Sequence, residues 1–189
     1  MICAVIKLIH MKMIGDVCMK EMIWLGRGGQ GAFTAAKLLG AAFTIDSDNK
    51  YALAFPSFGP ERRGAPVRAF TKLDNKPVTD RSQTEKADYI VILDDTLYSP
   101  QLSSLLKDNG KIIVNSKKAI ENAYSYDAER IASQFRLPTV NTVMFGILLA
   151  VSGIVSEDEA VSAIKGYMPE KIQERNIGAL EEAVREVLS

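Results

Sequence analysis

A short apolar run, Met22 to Leu25, meets Gly26, Gly28, Gly29 and Gly31 and then Ala32 to Leu39, where apolar residues recur at helical spacing. Few folds accept strand, glycine turn and helix in that order, and the commonest is an α/β sheet whose first strand feeds a helix. Glycine allows positive φ and lets a ligand approach without meeting a Cβ. The start of the helix leaves N–H groups unpaired and carries partial positive charge, which favours an anion. Arg27 and Gln30 add a cation and an amide at the same place. Two readings stand side by side: a phosphate cradle, and a tight turn that needs glycine for packing alone. The spacing Gly-x-Gly-Gly-x-Gly is not the dinucleotide fingerprint, and no Lys-Ser/Thr follows to make a nucleoside-triphosphate loop.

The chain has 189 residues, the size of one domain, and 47% of them are hydrophobic, enough for a core. Its formal net charge is +0, so composition gives no reason to expect a nucleic acid or membrane partner, and any anion site must be local. No apolar run reaches the roughly 18–20 residues needed to cross a bilayer. Cys3 and Cys18 are the two cysteines, too few for a cysteine-ligated cluster within the chain, and their scarcity fits a cytoplasmic setting. The single histidine, His10, reads as incidental, and no metal site is expected. Residues 1–19 differ in character from the rest. They are read as an N-terminal extension, loosely packed, with an added edge strand as the rival; the functional domain spans 20–189.

The first helix is expected over about Gln30 to Phe43, and a second strand over Tyr51 to Phe55. Pro56 to Pro66 then holds three prolines, two glycines, the aromatic Phe58 and the pair Arg62–Arg63, a loop stiffened for a purpose. Those arginines either grip a phosphate or carboxylate, or pair with Glu61 and solvent. Val67 to Leu73 alternates as a half-exposed strand, and with Val78 to Arg81 it is expected to form an inserted hairpin. Ala87 to Asp94 is a buried parallel-type strand. Asp94 and Asp95 end it at a ligand-site position, although capping of a helix near Ser99 to Leu106 is the favoured role for one of them. Strands follow at Gly110 to Ser116 and Ser125 to Asp127, then helices from Ala128, Val143, Glu157 and Pro169. Thr139 or Asn141 is placed to start the helix at Val143, and Ser156 with Glu159 forms a capping box. The fold class is α/β: a mostly parallel, doubly wound sheet with an inserted β-hairpin and C-terminal helices.

Taken together, Gly26 to Gly31, the stretch Tyr51 to Phe70 with its Phe58-Gly59-Pro60-Glu61-Arg62-Arg63-Gly64-Ala65-Pro66 core, Ile92 to Leu97 and Asn141-Thr142 resemble the gamma subunit of pyruvate (2-oxoacid):ferredoxin oxidoreductases. The likeness covers nearly everything after Lys20. It implies a subunit inactive alone and holding no catalytic residue, in a complex that oxidatively decarboxylates a 2-oxoacid, passes electrons to ferredoxin and hands the acyl group to coenzyme A. The resemblance assigns thiamine diphosphate, Mg and iron–sulfur clusters to alpha, beta and delta chains, and coenzyme A to a junction this chain shares. Gly28, Gly29, Gln30 and Gly31 are then the expected backbone donors, with Arg27, Arg62 and Arg63 as charge partners. The wording around Arg62 leans toward the pyruvate and branched-chain branches. Two rivals remain: a purely architectural chain that touches no ligand, and a free-standing nucleotide-binding dehydrogenase. The latter lacks the acid that should end a second Rossmann strand, because Tyr51 to Phe55 runs into proline.

Overall fold

In a computed structural model that describes residues 19–45, 47–57 and 64–189, one six-stranded sheet organises the chain. Its strands are β1 (Lys20–Arg27), β2 (Tyr51–Pro56), β3 (Pro66–Asp74), β4 (Ala87–Ile92), β5 (Leu106–Asn115) and β6 (Tyr124–Tyr126), in the order β2-β3-β1-β4-β5-β6. β1, β4, β5 and β6 pair in parallel, whereas β3 runs against both β1 and β2. β3 is therefore the one reversed strand. The helices are α1 (Ala32–Thr44), α2 (Ala128–Gln134), α3 (Asn141–Ser152), α4 (Glu157–Tyr167) and α5 (Glu170–Leu188). The expected extension falls almost wholly on residues 1–18, outside the described residues.

The period-2 alternation of β1 divides the core. Met22 and Trp24 face the α-helices together with Leu38, Leu39, Phe145 and Leu180, while Ile23 and Leu25 face the opposite side with Phe70, Ile90, Ile92 and Val114. Trp24 is fully buried, and its indole N–H donates to Thr71 Oγ1 at 3.0 Å. The Thr71 hydroxyl in turn donates to the Ala36 carbonyl at 3.0 Å. That relay satisfies the buried polar atoms and ties β1, β3 and α1 together. α3 is apolar nearly all round and buried, as its sequence predicts. The capping box at Ser156 and Glu159 is formed, and Gly153 ends α3 at φ 63°.

Three local expectations are corrected. The inserted hairpin is β2 with β3, closed by the Pro56 to Pro66 loop, and Val78 to Arg81 forms no strand. The 75–86 segment instead runs as an irregular, mostly exposed stretch that lays Asp80 over a buried cation. Asp80 sits 2.6 Å from the ammonium of Lys72, which is buried on β3, and Ser82 stands beside it. A buried ammonium left unpaired would be far costlier than the ladder bonds forgone. Pairing holds the Asp80 carboxyl far below the usual carboxylate range, chiefly through its hydrogen bond from Lys72. Second, the helix expected near Ser99 to Leu106 is a 3₁₀ turn, Pro100–Leu105, so the face opposite the α-helices is covered by short turns. Third, α3 begins at Asn141, one of the two residues expected to start it, and so two residues earlier than Val143; Val140 is its N-cap, and the Thr139 hydroxyl donates to Asn141 Oδ1 at 2.6 Å.

α3 and α5 cross at Gly146, where an added Cβ would lie 2.9 Å from the Leu180 carbonyl oxygen and 3.0 Å from Ala183 Cβ. Gly146→Ala gains helix propensity but overpacks this crossing. It is expected to lower unfolding free energy by about 1–2 kcal/mol net, measured by urea denaturation.

Candidate functional site

The register of β3 on β1 pairs Arg27 with Pro66, and the ladder continues one step further. The Gly28 N–H donates to the Ala65 carbonyl at 2.9 Å, and the Gly64 N–H donates to the Gly28 carbonyl at 3.2 Å. The glycine turn and the foot of the proline-rich loop are thereby one joined corner. It stands at the C-terminal end of β1, on one side of which the chain builds β2 and β3 and on the other β4, β5 and β6. In open α/β sheets such a switch point is where ligand crevices form.

The glycines have distinct jobs. Gly29 is exposed at φ 97°, and a Cβ there would meet nothing within 4 Å, so this position opens outward. Gly31 caps α1 at φ 82°, where a Cβ would lie 2.8 Å from the side-chain nitrogen of Asn141. No side chain caps α1, so the N–H groups of its first turn face the corner without a side-chain acceptor. Gln30 folds back: its Oε1 accepts from the Arg27 N–H at 2.7 Å, and its backbone N–H is taken by the Arg27 carbonyl at 2.9 Å. The backbone donors of Gly28 and Gln30 are thus engaged within the corner. Among the described residues, Gly29 and Gly31 accept no such internal assignment.

Arg27 is a brace. Its Nε donates to Asp94 Oδ2 at 2.9 Å, while its terminal nitrogens donate to Thr96 Oγ1 at 2.7 Å and the Gly64 carbonyl at 3.2 Å. One guanidinium therefore spans the glycine turn, the second loop and the end of β4. Gln30 Nε2 adds a 3.3 Å bond to Asp94. Asp94 does cap the following 3₁₀ turn, Asp95–Leu97, by accepting from the Thr96 N–H at 3.1 Å. Burial disfavours its charge, but bonds from the Thr96 hydroxyl and N–H, Gln30 and Arg27 outweigh that and hold its pKa below the usual carboxylate value. Beyond Gln30 a cleft of about 450 Å³ runs over the ends of β4 and β5, with Asp95, Ser116, Lys117 and Lys118 on its walls. Its volume suits a small molecule. Asp95 accepts from the Ser116 hydroxyl at 2.8 Å.

The structure therefore gathers Arg27, Gly28, Gly29, Gln30 and Gly31 at one corner. Arg62 and Arg63 lie outside the described residues, directly ahead of Gly64 in the chain. Sequence reasoning underrated Asp94 and did not single out Thr96 or the contact of Asn141 with Gly31. The available signal was an acid at the end of a strand parallel to β1. Among the described residues no group of three or more His, Cys, Asp or Glu side chains is placed to hold a metal ion, and no helix is long and apolar enough to cross a membrane.

Residues 21–186 match the model of the family described as pyruvate ferredoxin/flavodoxin oxidoreductase. The chain is 44% identical over 176 residues to "pyruvate synthase subunit PorC" of Methanothermobacter thermautotrophicus, spanning 89% of this chain and 96% of the relative. It is 39% identical over 178 residues to the "pyruvate/ketoisovalerate oxidoreductases common subunit gamma" of Pyrococcus furiosus, spanning 87% and 95%. The crystal structure of pyruvate oxidoreductase subunit PORC from Thermotoga maritima superposes with a TM-score of 0.75 at 33% identity, covering 88% of this chain and 96% of that one.

Because its folded pKa is depressed, Asp94 contributes stability that is present above the unfolded carboxylate pKa of about 3.9 and is lost as pH falls through the lower folded value. Asp94→Asn is expected to cost about 1–3 kcal/mol at neutral pH, with the gap to the parent closing below that window, as read by urea titrations across pH.

Proposed function

The chain belongs to the pyruvate ferredoxin/flavodoxin oxidoreductase family, and on that footing we propose that it is the gamma subunit of a pyruvate synthase complex, where it helps bind coenzyme A and completes the assembly. The complex couples oxidative decarboxylation of pyruvate to reduction of ferredoxin. The pyruvate assignment is favoured over a branched-chain one by the higher identity to relatives named for pyruvate synthase. Alpha, beta and delta chains are its partners, and they carry the thiamine diphosphate, Mg and iron–sulfur clusters. The working compartment is the cytoplasm, and residues 20–189 make up the gamma domain.

The observation that carries the coenzyme A role is the joined corner, where Gly28 is bonded to both Gly64 and Ala65. An outward-opening Gly29 and an uncapped helix start suit the diphosphate of coenzyme A, which a Cβ-bearing residue at Gly29 could not approach with the same backbone. Gly29 and Gly31 serve as backbone donors. Gly28, Gln30 and Arg27 shape the cradle, and the guanidinium of Arg27 leaves further N–H groups for a ligand oxygen. Arg62 and Arg63 supply the positive charge for the phosphates that Arg27, paired with Asp94, gives only in part. This chain breaks no bond. It fixes the diphosphate so that the thiol end is aimed at the acyl group held by partner chains, and such positioning lowers barriers by up to about 7–11 kcal/mol in well-oriented systems.

Arg62→Ala and Arg63→Ala are each expected to raise the KM for coenzyme A of the assembled complex about tenfold, the loss of one charge-assisted bond of ~1.5 kcal/mol, with kcat at saturation and subunit assembly retained. Failed assembly with an unchanged KM in the surviving complex would instead establish the architectural role.

A further inference from the structure

A second concavity, of about 410 Å³, lies on the helical side of the sheet between α1, the turn after α2, and the junction of α4 with α5. Its composition departs from that of the chain. Lys37, Arg136 and Arg175 reach it from three separate elements, and no Asp or Glu lines it, although the protein as a whole has formal net charge +0. None of the ion pairs among the described residues uses these three cations. Lys37 is held by aromatic faces in place of a carboxylate, its ammonium 4.8 Å from the Phe33 ring centroid and 4.9 Å from that of Tyr167. Its charge is thus fixed in position and not neutralised. The backbone of Arg136 is set in the left-handed conformation that stops α2, at φ 53°, with the following Leu137 N–H bonded to the Ala132 carbonyl at 2.9 Å.

The same concavity carries apolar surface left uncovered. Tyr167 is 48% exposed and Ile172 37% exposed, in a protein whose large apolar side chains are otherwise mostly buried. Pro138 and Pro169 stiffen the walls beside them. Tyr, Ile, Met and Arg together with an absence of acids is the make-up of an interface centre, where charge survives only if the other side answers it. We propose that this groove docks an acidic segment of a partner subunit, with an apolar side chain seated between Tyr167 and Ile172 and carboxylates meeting Lys37, Arg136 and Arg175. The charge pattern excludes a basic occupant and gives the contact its orientation. The groove meets the glycine corner at Asn141, which lines the one and stands against Gly31 of the other.

The test uses the assembled complex, diluted in sedimentation-velocity runs at two salt concentrations. Arg175 and Ile172 are surface residues of α5, so Arg175→Glu and Ile172→Asp leave the fold of the chain intact. Each is expected to weaken retention of this subunit at least tenfold. Arg175→Lys should stay within about threefold of the parent, and Arg175→Glu should flatten the salt dependence. Dissociation unchanged in both Arg175→Glu and Ile172→Asp would overturn the proposal. A raised KM for coenzyme A in Arg175→Glu with dissociation unchanged would overturn it too, and would place a small ligand in the groove.

Discussion

The reversed strand β3 is the constraint on which the site depends. A wholly parallel sheet would send the chain away from β1 over a helix and return it at the far end. By running antiparallel to β1, β3 begins where β1 finishes, and the Arg27–Pro66 register places the two loops side by side. The backbone bonds between Gly28 and the Gly64–Ala65 pair then join them. Arg27 extends the join to β4 through Asp94 and Thr96. Three chain segments distant in sequence are held by one guanidinium and two backbone bonds. Such a corner loses little freedom on meeting a ligand, which is the physical benefit of building it stiff.

Charge is used differently at the two ends of the sheet. At the far end, the enclosed Lys72 pairs with Asp80 at 2.6 Å and Glu21 at 3.7 Å, and Glu21 continues the network through Lys107 and Asp88 to Lys20. Every cation there has an anion, and the network clamps the 75–86 segment across β1 and β3. At the glycine corner, by contrast, the helix start has no side-chain cap, and the N–H groups of Gly29 and Gly31 have no backbone partner among the described residues. One end satisfies itself and fixes register; the other is left with donors to spare. A corner built only for packing would have no use for those spare donors.

Local signals in the sequence were sufficient for the elements they govern. Apolar spacing located β1, α1 and α3, and the Ser156–Glu159 box gave the start of α4, because each is decided within a few residues. The hairpin partner was misassigned because pairing is a contest between distant segments: Tyr51–Pro56 outcompeted Val78–Arg81, whose Asp80 is drawn to a lysine that looks exposed in sequence and is buried in the fold. Asp94 reads locally as a cap, and it is one. Its second role depends on Arg27, 67 positions earlier, which no pattern of spacing reveals. The candidate residues at the glycine turn were legible as a group. Which of their N–H groups are spent inside the corner was not, since that follows from the register of β3.

The central claim is that the open amides of this corner bind the diphosphate of coenzyme A. Amide hydrogen exchange across residues 26–34 in the assembled complex, with and without coenzyme A, tests it most directly. Marked slowing at Gly29 and Gly31, with little change at Gly28 and Gln30 whose N–H groups are already bonded, is the predicted result. Exchange at Gly29 and Gly31 that is indifferent to saturating coenzyme A would contradict it.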